Sequence, residues 1–83
     1  MLNAENVAEL DLLLCYDLDS IQQGIKLHNG ARPELLAAAQ RLFDKGFITQ
    51  YDGGYLTELG REAAEHAQSA YSLLTSGASG DAE

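Results

Sequence analysis

Several residue types are scarce in this chain, and each scarcity excludes something. It has no tryptophan, one proline, one cysteine and five basic residues among 83. A single cysteine, Cys15, forbids an internal disulfide, and its setting in Leu12-Leu13-Leu14-Cys15 reads as helix core rather than a reactive thiol. No apolar run exceeds five residues, far below the roughly 20 that a bilayer-spanning helix needs. The opening Met1-Leu2-Asn3-Ala4-Glu5 lacks the basic flank and cleavage pattern of a secretory signal. A reducing cytoplasm is the expected location. Against the five bases stand thirteen acids, for a net charge of −8, which works against long-range attraction to nucleic acid or anionic lipid.

The abundant feature is helical periodicity. Val7, Leu10, Leu13, Leu14 and Leu18 recur at helix spacing, so residues 5–17 read as an amphipathic helix capped by Asn3 or by Asn6 with Glu9. Asp19-Ser20-Ile21-Gln22 starts a short second helix that Gly24 should end or weaken, and Ile25-Lys26-Leu27-His28 alternates as an extended segment does. After the Asn29–Arg32 turn, Pro33 suits a first helical position. Leu35, Leu36, Ala39, Leu42 and Phe43 then form a stripe over 33–45 that Gly46 closes. The β-prone runs 47–51 and 55–57, split by Asp52-Gly53-Gly54, predict a hairpin with those glycines in its turn. Thr57 can cap a last helix of about 17 residues, roughly 25 Å long. The expected core is Leu10, Leu13, Leu14, Leu35, Leu36, Leu42, Phe43, Ile48, Leu56 and Leu59.

The resulting expectation is one mainly α domain over 1–75 with a small β-hairpin, winged-helix-like in order: helix, short helix, extended segment, helix, hairpin wing, long C-terminal helix. Residues 76–83 read as a flexible acidic tail without an apolar anchor.

Lys45-Gly46-Phe47-Ile48, the hairpin and Leu56-Thr57-Glu58-Leu59-Gly60-Arg61-Glu62 resemble the second half of winged-helix transcription regulators. That resemblance implies that helix 33–45 is the recognition helix and the hairpin the wing. With Gly24-Ile25-Lys26-Leu27-His28 and residues 39–46 and 52–66 included, nearly the whole chain resembles a family of small uncharacterised proteobacterial proteins. Some of its members carry DNA-binding or transcriptional-regulator labels.

The chemistry of a DNA reader is thin in these residues. Recognition helices present basic and amide side chains to bases and phosphates. Here the face opposite the apolar stripe would offer Glu34, Ala37, Ala38, Arg41 and Lys45, and the wing tip, Gln50–Gly54, has no base. His28 and His66 lack partners at metal-ligand spacing, the carboxylate pairs read as caps and solvated faces, and Gly53-Gly54 lacks the lysine of a phosphate loop. No catalytic, cofactor or metal site is expected. Arg32, Arg41, Lys45, Tyr51 and Tyr55 are the candidate binding surface, the tyrosines either pairing across the hairpin or anchoring a partner. Two functions follow: a winged-helix DNA-binding or transcription-associated regulator, or an acidic protein-protein interaction module without direct DNA binding. Small side chains at Ala63, Ala64, Ala67 and Ala70 would also let the last helix pair with a second copy.

Overall fold

A computed structural model of the chain describes residues 1–20 and 23–76. Its elements are α1 (Ala4–Leu13), β1 (Ile25–Lys26), α2 (Pro33–Asp44), β2 (Ile48–Gln50), β3 (Gly53–Leu56) and α3 (Glu58–Thr75). Helix, strand, helix, hairpin, helix is a winged-helix-like order, and the chain is mainly α. The extended segment joins the hairpin, giving an antiparallel sheet of order β1-β3-β2. The expected short helix falls partly on residues 21 and 22, outside the described residues, as does the tail beyond Ser76.

Asn3 caps α1: the Asn6 N–H donates to Asn3 Oδ1 at 2.8 Å and the Asn3 N–H to Asn6 Oδ1 at 3.4 Å, satisfying two orphan helix donors reciprocally. The helix stops four residues before the expected end. The turn that follows is held from outside, because Gln68 Nε2 of α3 donates to the carbonyls of Leu13 and Tyr16 at 3.2 and 2.7 Å. This early stop reverses two side chains. Cys15, expected in the core, is exposed, and Tyr16 is buried in its place.

Two hairpin details also differ from expectation. The turn lies at Tyr51-Asp52, and the glycines fall inside β3 with φ of 131° and 74°, values that side chains other than glycine's seldom adopt. At Gly53 a Cβ would stand 2.5 Å from the Ile25 carbonyl oxygen, so this glycine lets β1 lie directly against β3. On the far side, Thr57 links hairpin to helix. Its hydroxyl donates to the Gly46 carbonyl at 2.6 Å and accepts from the Gly60 N–H at 3.0 Å, making it the α3 N-cap.

One core joins α1, α2, β2 and α3 through Leu12, Leu13, Tyr16, Ala39, Leu42, Ile48 and Ala64. Of the expected core residues, Leu13, Leu42 and Ile48 are buried, while Leu10, Leu14, Leu35, Leu36 and Leu56 are half-buried. Phe43 and Leu59 were misplaced by the stripe reading: they are 43% and 49% exposed. The cause is close backbone approach at small residues. Ala8, Ala38, Ala39 and Ala64 are buried, and a Cβ on Gly60 would overlap the Phe47 carbonyl oxygen. Each helix is thereby turned so that its smallest residues face inward and neighbouring large ones flank the seam.

Candidate binding surface

The α1–α2 seam decides what α2 can offer a ligand. Ala38, expected on the outer face of α2 with Arg41 and Lys45, is 0% exposed and lies in the core. The basic side chains turn the same way. Arg41 Nε donates to Glu9 Oε2 at 2.7 Å, its second guanidinium nitrogen to the Glu5 carbonyl at 3.2 Å, and Lys45 Nζ lies 3.1 Å from both Glu9 oxygens. Asn6 Nδ2 is a third donor and makes the fourth hydrogen bond to that carboxylate, at 3.3 Å. At the other end of the seam Arg32 reaches Asp11 at 3.9 Å, so the start of α2 meets the end of α1. These contacts bring Arg41 and Lys45 together, as the helical spacing implies, and pair both with Glu9 of α1, Arg41 half-buried and Lys45 still exposed.

Glu9 is 7% exposed, a buried charge that only such donors make tolerable. Burial pushes its carboxyl pKa up, but the hydrogen bonds from Arg41, Lys45 and Asn6 with the Lys45 charge outweigh that and hold it below the usual 4.5. Sequence reasoning missed this residue as the hub of the seam. Its single signal was the offset from Asn6, which looked like a helix cap and is a side-chain contact instead.

What remains on the solvent side of α2 is Pro33, Glu34, Ala37, Gln40, Phe43 and Asp44. That face carries two acids and no base. Among the described residues, four of the five basic side chains have a carboxylate oxygen within 4.0 Å, the fourth pair being Arg61 with Glu65 on α3. Lys26, on the edge strand, is the remaining one.

Tyr51 and Tyr55 do not form a cross-strand pair. Tyr51 occupies the turn, whereas Tyr55 lies in β3 and its backbone N–H donates to Thr49 Oγ1 at 2.9 Å. Both rings are exposed. Tyr51 lines a groove together with Leu27, Leu36, Lys26, His28, Gln40 and Asp52. The groove holds both charge signs, in Lys26 and Asp52. Tyr16 presents the opposite case, a buried hydroxyl without a hydrogen-bond partner among the described residues. Burial first, then negative charge on Cys15 and Asp52, pushes its pKa up to about 12.

Among the described residues no group of three or more His, Cys, Asp or Glu side chains is placed to hold a metal ion. No described helix is long and apolar enough to cross a membrane. The curated proteins give no significant match to the chain, and neither do the solved structures. The model of one protein family does match, over residues 1–75, and the chain belongs to that family, described as a family of unknown function (DUF5669).

Proposed function

We propose that this protein is an acidic protein-protein interaction module built on a winged-helix-like scaffold, and that it does not read DNA through α2. The observation that carries the proposal is the Glu9 clasp, which spends Arg41 and Lys45 on the α1–α2 seam. The helix that would enter a major groove then presents Glu34, Gln40 and Asp44, and carboxylates repel the phosphates that supply most nucleic-acid affinity. The −8 charge adds a field of the same sign. A partner surface that is basic or uncharged is the complement.

The test is a fluorescence anisotropy titration of random and genomic duplexes at several salt concentrations, beside affinity capture from the native lysate. The expected result is no saturable DNA binding at physiological ionic strength, with a stoichiometric protein partner recovered. Submicromolar DNA binding that Arg41→Ala abolishes would overturn the proposal and return the transcriptional-regulator reading.

A further inference from the structure

Among the described residues every acid is exposed except two: Glu9 is buried and Asp52 half-buried. Their surroundings differ. Glu9 accepts four hydrogen bonds from three side chains, whereas the Asp52 carboxylate has no hydrogen bond and no cation within 4.0 Å among the described residues. Lys26 is the matching case among the bases, the one with no carboxylate at that distance. Both residues line the same groove, and they do not pair with each other. The sheet brings them there: Lys26 is paired with Gly53, and the Leu27 N–H donates to the Asp52 carbonyl at 2.9 Å, so residues 26–29 run beside the hairpin turn. Leu36 and Gln40, one helical turn apart on α2, complete the lining with Tyr51. The groove encloses about 510 Å³, within the roughly 300–1,000 Å³ of small-molecule sites.

We propose that this groove binds a small zwitterion, a free α-amino acid with an apolar side chain. Charge selects that class. A ligand of one sign would satisfy either Lys26 or Asp52 and be repelled by the other, and a peptide terminus carries only one of the two charges. A free amino acid carries an ammonium for Asp52 and a carboxylate for Lys26 on the same carbon, and each pair becomes a charge-assisted hydrogen bond. The apolar part of the lining, half-buried Leu27 and Leu36 with the exposed Tyr51 ring, suits an aliphatic or aromatic side chain. The His28 and Gln40 side chains have no partner within the chain among the described residues, which leaves them free to hydrogen-bond the ligand's remaining polar atoms. This inference is independent of the Glu9 clasp and of any protein partner.

The experiment is a titration of the full chain, followed by amide chemical shifts, with L-leucine, L-methionine and L-phenylalanine and with the N-acetyl and amide derivatives of each. At least one free amino acid should give saturable shifts centred on residues 26–29, 36–40 and 51–52. Its N-acetyl derivative, which lacks the ammonium, and its amide, which lacks the carboxylate, should each bind at least about tenfold more weakly, the factor expected when one charge-assisted hydrogen bond is lost. Asp52→Asn should weaken the free amino acid by a similar factor and leave the N-acetyl derivative unaffected, and Lys26→Gln should do the same for the amide. Both variants should keep the wild-type circular dichroism and melting temperature, because neither side chain has a partner to lose. Absence of saturable shifts with all three amino acids up to about 10 mM, beyond the weak end of specific affinities, would overturn the proposal. So would derivatives that bind as tightly as the free amino acids, or binding that both substitutions leave intact.

Discussion

The α1–α2 seam and the free end of α3 treat charge and apolar surface in opposite ways. In the seam, a charged side chain lies inside: Glu9 is nearly covered, paired with half-buried Arg41 and with Lys45 at the surface. At the end of α3, apolar side chains lie outside, with Tyr71, Leu73 and Leu74 all more than half exposed. The contrast warns against reading function from residue type. Cations expected on an outward helix face pair with a buried acid here, whereas leucines in a helical stripe stay exposed. Exposed groups that the fold does not use are the better guide to function, and by that measure the seam is closed and α3 is open.

The sharpest way to break this contrast is to truncate one leucine in each region. Leu42 is 1% exposed at the centre of the core, and Leu→Ala at such positions costs about 2 to 5 kcal/mol through lost burial and the cavity left behind. In so small a domain that approaches the whole folding free energy. Leu42→Ala should therefore abolish or severely lower the thermal transition, while Leu74→Ala leaves it in place. Equal effects of the two substitutions would erase the distinction between the regions.

A second experiment concerns the seam alone. Arg41→Ala removes the shortest contact to a buried carboxylate and leaves Glu9 with Lys45 and Asn6. Because Arg41 is partly exposed, the cost falls below that of a fully buried pair, at about 1 to 3 kcal/mol in a denaturant titration. Arg32→Ala, whose 3.9 Å pair with Asp11 is exposed on both sides, should cost less than about 1 kcal/mol. If the order is reversed, Arg41 is a surface residue after all and the DNA-reading face of α2 is restored.

Acid should reveal the same seam. The folded Glu9 pKa lies below its unfolded value, so its contribution is fully present above the ordinary 4.5 and is lost as pH falls below it. Between about pH 5 and pH 3 the wild-type protein should lose stability more steeply than Glu9→Gln, followed by melting temperature at each pH. Parallel curves would show that the clasp contributes nothing.

How much of this was legible in the sequence follows from the range of each interaction. Pro33, Gly46 and Thr57 act through their own backbone or within three residues, so the limits of α2 and the start of α3 are readable to within a residue. The end of α1 is not, because Gln68 holds it from 52 and 55 positions away. The seam is hidden for a related reason. Periodicity marks large apolar residues, but the close contacts here run through alanines and Gly60, which score weakly in any stripe. Among the candidate residues, the pairing of Arg41 with Lys45 was readable from their spacing. Their direction depended on Glu9, 32 and 36 positions away.

Tyr16 sits where the two regions meet, its carbonyl held by Gln68 of α3 and its ring in the core beside Leu12 and Leu42. Its hydroxyl is buried with no hydrogen-bond partner among the described residues, and a polar group buried unpaired costs about 1 to 3 kcal/mol relative to its hydrated state. Tyr16→Phe keeps the ring, the packing and the backbone acceptor while deleting only that oxygen. The substitution should therefore be neutral or stabilising by up to about 1 kcal/mol, read as an unchanged or raised denaturation midpoint with the same slope. This is the smallest effect in the series and the only one with the opposite sign. Destabilisation by more than 1 kcal/mol would mean that the hydroxyl is satisfied in solution by an ordered water, which a buried polar site readily holds. In that case the core reaches solvent at the junction of α1 and the sheet, and the seam is less closed than its ion pairs imply.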